Sequence, residues 1–350
     1  MNIATIIGAR PQFIKAALIS EKINTIDSLS EIIIHTGQHF DIKMSKIFFD
    51  EMNIPQPNYN LNINQFNYSQ MIERMVEKIN PILIEEKIHG VMVYGDTNST
   101  LAGSISAKKL NLPIFHVEAG LRSFNRSMFE ENNRIITDHL SSLLFCPSEN
   151  AVKNLSKENL TDGVILSGDV MYDVYLKFSS LIDNLHSDIK KSKFILTTIH
   201  RRENINSAEK LSTIFSNLNE MNEERKIIMP LHPHTKQKIE EYGIRSDVTF
   251  TEPLGYISML SLLNKCEMVI TDSGGLQKEA YFAKKKCLTV RDQTEWIELI
   301  EEKSNLLCEP ESIMDSFNKL INQKCNFSKN LYGDGKASAK IIESIIDFLS

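Results

Sequence analysis

No apolar run in this sequence approaches the ~18 uninterrupted residues that a membrane-spanning helix needs, so no membrane partner is expected. Cysteine is scarce and scattered. Cys146, Cys266, Cys287, Cys308 and Cys325 are odd in number and none stands in a CxxC pair. That pattern argues against a disulfide framework and a structural zinc, and for a reducing compartment. Each cysteine reads as a small buried hydrophobe. The dinucleotide fingerprint GxGxxG is missing, so a nicotinamide cofactor is not indicated and no cofactor is expected. An excess of basic residues is missing too: 39 Lys and Arg face 45 Asp and Glu, for a net charge of −6. A nucleic-acid binder usually shows a basic face, so nucleic acid is not expected as a partner, although a locally basic cleft is compatible with this balance. The opening Met1–Gly8 has no basic n-region and its apolar run stops at a glycine, which predicts no signal peptide and a cytoplasmic protein.

What is present points to two α/β domains. The chain has 350 residues, 42% of them hydrophobic, and a single core stops growing near ~250–300 residues. Short apolar runs alternate with amphipathic stretches, the pattern of βα units on a parallel sheet. Strands are predicted at 3–7, 31–35, 90–94, 114–117, 143–146 and 164–166, and helices at 11–23, 68–85 and 100–110. The rhythm restarts with strands at 194–198, 226–229, 248–251, 268–271 and 287–290, and helices at 207–219, 257–263 and 275–283. A polar stretch, 177–192, reads as the passage between the halves. A final helix, 337–349, follows the turn Tyr332-Gly333-Asp334-Gly335. The expected division is 1–175 with 335–350 as one doubly wound, Rossmann-like domain, and 176–334 as a second. No low-complexity tract or short-period repeat interrupts it.

Three carboxylates fall where predicted strands end or the next helix begins: Asp96 in Gly95-Asp96-Thr97, Glu118 in His116-Val117-Glu118-Ala119-Gly120-Leu121-Arg122, and Glu130 in Glu130-Glu131-Asn132-Asn133-Arg134. Acids at strand ends face the crevice above a parallel sheet, where ligands bind. Alone, Asp96 reads equally as a helix cap. In company, the acids suggest proton transfer: repulsion in a partly dry cleft raises at least one pKa, so one acid donates while a neighbour accepts. A divalent cation held by acids from three loops is the other reading.

Basic and glycine-rich turns supply the anion-binding counterpart. Gly8-Ala9-Arg10-Pro11 opens the first helix, where free N–H groups attract anions and Arg10 and Lys15 add positive charge. His200, followed by Arg201 and Arg202, is a candidate to bridge a phosphate oxygen or pass a proton; His232-Pro233-His234 is a weaker signal, since such residues also make ordinary strand-end turns and HxH, which can bind metal, has no third ligand nearby. In Asp272-Ser273-Gly274-Gly275, two glycines let phosphate oxygens approach backbone N–H groups and Ser273 can cap the helix. Glu279 is spaced to accept two ribose hydroxyls. Arg291 is read as orienting that loop, and Trp296, the one tryptophan, as packing.

At these residues the chain resembles the non-hydrolysing UDP-N-acetylglucosamine 2-epimerases of bacteria. The match runs nearly end to end, through Gly-x-Arg-Pro, Thr36-Gly37-Gln38-His39, Gly95-Asp96-Thr97, His116-Val117-Glu118-Ala119-Gly120-Leu121-Arg122, Glu130-Glu131-x-Asn133-Arg134, His200-Arg201-Arg202-Glu203, Thr271-Asp272-Ser273-Gly274-Gly275 and Tyr332-Gly333-Asp334-Gly335. The resemblance implies a GT-B-like fold with a ligand cleft between the domains, a homodimer, and inversion of C2 of a UDP-2-acetamido sugar without cofactor or metal. It places Asp96, Glu118, Glu130 and His200 on the family's essential residues. Arg10, His232, Ser273, Gly274 and Glu279 fall on its UDP-binding residues, and Gln38 and His39 near a regulatory site for UDP-N-acetylglucosamine in some members. The chain departs from the usual pattern with Phe129-Glu130 for Pro-Glu, Gln12 for a first-turn Glu, and Thr294-Glu295-Trp296 for Thr-Glu-Arg. These variants look like a branch acting on modified sugars, such as UDP-2,3-diacetamido-glucuronate. A GT-B glycosyltransferase, a hydrolysing epimerase and a non-catalytic nucleotide-sugar sensor are the alternatives. Which carboxylate takes the first proton stays open.

Overall fold

The structure, a computed structural model, describes residues 1–38, 51–52, 54–64, 67–180, 182 and 193–350. The chain divides into two compact units, Met1–Leu176 with Asn330–Ser350, and Lys177–Lys329.

The first unit carries a parallel sheet of seven strands among the described residues: β1 (Asn2–Ile7), β2 (Ser30–His35), β3 (Tyr59–Asn60), β4 (Gly90–Tyr94), β5 (Ile114–Val117), β6 (Leu143–Cys146) and β7 (Val164–Leu166). Their order is β3-β2-β1-β4-β5-β6-β7. The chain therefore works outward from β1, returns past it, and resumes at β4 on the other side. β4 and β5 are buried along their whole length. This explains their unbroken apolar sequence: helices cover both faces, so no residue alternates toward water. Ile6, Val91 and Val93 of the sheet pack with Met75, Ile79 and Ile82 of the helix Tyr68–Glu85. The helix Asn98–Lys109 lies so close to the sheet that a Cβ at Gly103 would sit 3.0 Å from both Ile6 and Val93.

The second unit repeats the plan with β8 (Ile195–Thr198), β9 (Ile227–Pro230), β10 (Thr249–Thr251), β11 (Met268–Thr271), β12 (Lys286–Val290) and β13 (Asn305–Cys308), in the parallel order β10-β9-β8-β11-β12-β13. Its core gathers Ile195, Ile227, Met268 and Leu288 from the strands with Ile214, Phe215 and Leu218 from the helix Ala208–Glu224. Cys266, Cys287 and Cys308 are buried here, and burial pushes their thiols up to about 12.

The last helix, Ala337–Leu349, belongs to the first unit and packs on the helix Arg10–Ile23. Its start is fixed by Asp173, whose carboxylate accepts the N–H groups of Ala337 (3.1 Å) and Ser338 (2.7 Å) and the Ser338 hydroxyl (2.7 Å). The Tyr332–Gly335 turn that precedes it lies against Gly168, with the Asp169 N–H on the Tyr332 carbonyl at 2.9 Å.

The structure adds elements that the sequence expectations omit. β3 is two residues long at the sheet edge, too short for alternation to register. The helix Pro233–Glu241 buries only Thr235 and has no apolar stripe. The helix Ile313–Asn322 does have one, since Ile313, Phe317 and Leu320 are buried at helical spacing. Of the polar passage at 177–192, only residues 177–180 and 182 are described.

His35, at the end of β2, is buried, stacks on Phe13 with centroids 5.1 Å apart, and accepts the Gly37 N–H at Nδ1 (2.9 Å). Burial brings its pKa down from 6.5 to about 4. A depressed histidine stabilises the fold while neutral, above its unfolded value, and that contribution is lost as pH falls from 6.5 toward 4. Acidifying from pH 7 to 4 is expected to remove about 3 kcal/mol through this residue. In urea unfolding, the stability of the wild type relative to His35→Leu should fall by about 3 kcal/mol between pH 7 and pH 4; parallel profiles would refute the assignment.

Candidate active site

Both sheets change direction at their centre, and the candidate residues collect there. β1 and β4 flank the reversal in the first unit, β8 and β11 in the second. At such a switch point the helices after adjacent strands leave toward opposite faces, and a crevice opens above the strand ends.

In the first unit, the turn after β4 holds Gly95 at φ +62° and exposes Asp96. Asp96 is not the cap of the next helix. Thr97 is, accepting the Thr100 N–H, so the Asp96 carboxylate is left for another task. It forms an ion pair with Arg134, and the Asn133 side chain donates to its backbone carbonyl at 2.9 Å. Glu118 lies directly beyond β5, the neighbour of β4. Its backbone is at φ +71°, a left-handed conformation that costs a non-glycine residue energy. The N–H groups of Glu118 and Ala119 both donate to the Phe145 carbonyl, at 3.1 and 3.0 Å, and hold the chain there. Glu118 pairs with Lys15, and the two side chains are each 10% exposed. Its Oε2 comes within 3.1 Å of where a Cβ on Gly95 would stand, so the Glu118 carboxylate covers the Asp96 turn. Glu130 is exposed on the first turn of the helix Phe129–Leu140, four residues before Arg134 and on the same face. Burial first and the Glu130 charge second raise the pKa of Tyr68.

Asp96 and Glu118 thus share one corner of the first unit, and Glu130 stands one helical turn from the Arg134 that pairs with Asp96. The electrostatics differ from the expectation of bare carboxylates in mutual repulsion, because two of them have cations of their own. Lys15, expected to face a phosphate, stands on Glu118 instead. The Gly8 turn differs as well. The buried Gln12 side chain takes the N–H groups of Gly8 (2.8 Å) and Ala9 (3.0 Å) and donates to the Tyr94 carbonyl (2.9 Å) and Thr100 hydroxyl (3.0 Å). Those N–H groups are committed internally, and the turn's contribution to anion binding reduces to Arg10, which is half-buried. Glu131 beside Glu130 is structural: it accepts from Ser123 and Phe124 and ties down the 123–128 loop. Gln38 is bonded to Ser99 through its Oε1, at 3.1 Å to the N–H and 2.8 Å to the hydroxyl. His39 lies outside the described residues.

In the second unit, Ser273 caps the helix Gly274–Phe282 by accepting the Leu276 N–H. Among the described residues nothing comes within 4 Å of a Cβ built on Gly275, and the Arg291 guanidinium stands 3.8 Å from one on Gly274. Arg291 is itself held by Glu295 at 3.2 and 3.3 Å. The helix start is therefore open, with a cation beside it. Glu279 is buried on this helix, four residues beyond Gly275. Asp272 takes no part in an anion cradle. Its fully buried carboxylate accepts the N–H groups of His200 (3.0 Å) and Arg201 (2.9 Å) and the Asn204 amide (3.1 Å). It thereby builds the turn after β8 and presents the 40%-exposed His200 ring. His232 joins it, with ring centroids 6.0 Å apart. Trp296 is buried under Lys278, whose Nζ is 3.9 Å from the ring centre, a packing contact. Among the described residues, no group of three His, Cys, Asp or Glu side chains is placed to hold a metal ion.

Comparison with known proteins matches residues 21–346 to the family model described as UDP-N-acetylglucosamine 2-epimerase. The chain is 46% identical over 349 residues to the UDP-2,3-diacetamido-2,3-dideoxy-D-glucuronate 2-epimerase of Pseudomonas aeruginosa, covering 98% of this chain and 99% of that one. It is 45% identical to a UDP-N-acetylglucosamine 2-epimerase homolog of Methanococcus maripaludis, with 98% and 99% covered. Among solved structures, the UDP-GlcNAc 2-epimerase of Methanocaldococcus jannaschii, in complex with UDP-GlcNAc and UDP, superposes with a TM-score of 0.93 at 36% identity, over 99% of this chain and 100% of that one.

Asp272→Asn leaves one acceptor where the two carboxylate oxygens serve three donors, and the turn carrying His200 should loosen. Charge-assisted hydrogen bonds of this kind contribute roughly 1.5–3 kcal/mol each. Titration calorimetry with UDP is expected to show about tenfold weaker binding; unchanged affinity would separate His200 from the diphosphate site.

Proposed function

The chain belongs to the UDP-N-acetylglucosamine 2-epimerase family, and from that premise we propose that it inverts C2 of a UDP-2-acetamido sugar by eliminating and re-adding UDP. The juxtaposition of Asp96 and Glu118 at the β4–β5 edge, with Glu130 one helical turn from the Arg134 that pairs with Asp96, carries this reading. The C2 proton has no adjacent carbonyl to acidify it, so abstraction alone is slow. Elimination circumvents this. A carboxylate takes the C2 proton, the C1–O bond breaks with its electron pair leaving on UDP, and a C1=C2 double bond forms. A second acid then delivers a proton to the opposite face of C2 while the UDP oxygen re-bonds to C1. General acid–base groups of this kind supply roughly 10²–10⁴-fold each.

In this reading the three acids share the proton transfers and Lys15 and Arg134 hold two of them in place. Ser273, Gly274 and Gly275 offer N–H groups and a hydroxyl to the diphosphate, with His200, His232 and Arg10 stabilising its charge as it leaves. Glu279 takes the ribose hydroxyls. No step calls for a cofactor or metal. The similarity to the P. aeruginosa enzyme makes UDP-2,3-diacetamido-2,3-dideoxy-D-glucuronate the first substrate to try, ahead of UDP-N-acetylglucosamine. Gln38 and His39 are proposed to border a regulatory nucleotide-sugar site. A cytoplasmic homodimer completes the proposal. No helix among the described residues is long and apolar enough to cross a membrane.

An NMR time course in deuterium oxide with each of the two nucleotide sugars tests the reaction. The expected product is the C2 epimer with deuterium at C2. Free sugar plus UDP would mean hydrolysis, and an unchanged nucleotide sugar would favour a glycosyltransferase waiting for its acceptor. An epimer without deuterium would rule out a solvent-exchanging acid. Separately, Asp96→Asn is expected to lower kcat roughly 10³-fold with UDP affinity kept, as read by calorimetry; lost UDP binding would make Asp96 structural.

A further inference from the structure

We propose that His116 is a positioning residue for all three acids, a buried ring that donates a hydrogen bond from each of its nitrogens. It rests on the reading that those acids carry the proton transfer.

The ring is completely buried, and both its nitrogens face acceptors. Nε2 is 2.7 Å from the Gly95 carbonyl oxygen, and Nδ1 is 2.7 Å from Asp138 Oδ1. A carbonyl oxygen can only accept, so Nε2 carries a hydrogen. A neutral imidazole would then turn a lone pair toward the carboxylate. The surroundings of Asp138 favour its ionised form. Its second oxygen accepts from Arg122 (2.6 Å) and from the Gly120 N–H (3.2 Å). Burial opposes that charge, but the Arg122 guanidinium, itself buried and bonded to Oδ2, favours it independently of His116. Nδ1 therefore donates as well. The charges close among themselves, since Arg122 also grips Glu158 with two bonds of 2.7 Å. Two further ionisable groups border this cluster: His139, whose Nδ1 is 3.9 Å from Glu158 Oε2, and Cys146 on β6, where burial first and the Asp138 charge second push the thiol up.

Such a cluster is poor value as mere filling, because apolar residues of equal volume generally stabilise a core as well or better. What it does have is reach. Through the Gly95 carbonyl, His116 fixes the turn that presents Asp96, in a residue held at φ +62°. Along its own strand it stands two residues before Glu118, whose carboxylate packs over that same turn. Through Asp138 it anchors the helix Phe129–Leu140. Glu130, Arg134 and Asp138 are spaced four residues apart on that helix, so they form one stripe. Pinning Asp138 fixes the rotation of the stripe, which delivers Arg134 to Asp96 and places Glu130 one turn further on. One imidazolium thus sets the relative position of acids from three separate segments.

The test has two readouts on the full-length protein. In [15N-imidazole]histidine NMR at pH 8, one buried histidine should show both nitrogens at imidazolium shifts, and this signal should vanish in His116→Asn. If no histidine behaves so, the proposal is overturned, whatever the acids do. In His116→Asn, and independently in Asp138→Asn, kcat should fall about 100-fold with KM and UDP affinity within threefold of wild type. Full activity in a folded His116→Asn would overturn the positioning role, and so would kcat and UDP affinity falling together. If His116→Asn does not fold, Asp138→Asn and the NMR signal decide. Failure of the acid reading is seen apart from this: Asp96→Asn would then retain turnover while the imidazolium signal remains.

Discussion

A parallel strand covered by helices on both faces has only its ends free for chemistry. That constraint governs both units. Where strand order reverses, between β1 and β4 and again between β8 and β11, the following helices part toward opposite faces and the strand ends between them stay uncovered. The Asp96 turn and the Arg10 turn occupy the first reversal. The His200 turn and the Ser273 helix start occupy the second. The candidate site residues of each unit are distant in sequence and brought near one another by sheet register: Tyr94 stands opposite Val117, and Thr198 opposite Thr271.

Within that frame, the fate of each buried ionisable group is a contest between burial and partners. Burial wins at His35, whose neighbour at Nδ1 is a neutral N–H, and the pKa drops to about 4. It wins at the cysteines of the second core, pushed up to about 12. It loses at Asp138, more deeply buried than either acid of the site, because an imidazole and a guanidinium both bond to it. Pairing is therefore the device by which this fold keeps charge near its core. Lys15 on Glu118 and Arg134 on Asp96 extend the same device to the acids themselves. The cations do more than neutralise: each comes from a different helix, so each acid is located by two elements rather than one.

The second unit applies the idea to backbone. Asp272 sacrifices its charge to the N–H groups of the neighbouring turn. The helix start beside it can then remain open, with Ser273 capping one N–H and nothing among the described residues packed over Gly275. Gln12 performs the corresponding service after β1, where it closes a turn that would otherwise offer free donors. Turns of similar appearance in sequence thus end with opposite roles, one closed by a side-chain amide and one left accessible.

The sequence by itself determined the class of fold, the strands β4, β5, β6, β7 and β11 to the residue, and the turns that carry the candidate acids and glycines. It could do so because each of these is a local property: a short unbroken apolar run bounded by turn residues marks a strand, buried on both faces at β4, β5, β6 and β11 and half-exposed at the sheet edge at β7, and an acid or glycine at its end marks a turn. It also carried the family resemblance in motifs spread over nearly the whole chain. Short or polar elements such as β3 and the helix Pro233–Glu241 escaped it, since their formation depends on neighbours rather than on periodicity. Only the tertiary structure decided which charged groups pair. Lys15 and Glu118 are 103 residues apart, Asp96 and Arg134 are 38 apart, and His116 and Asp138 are 22 apart. Spacing of that kind leaves no mark in a local pattern, because the contact exists only once the sheet has brought the strand ends together.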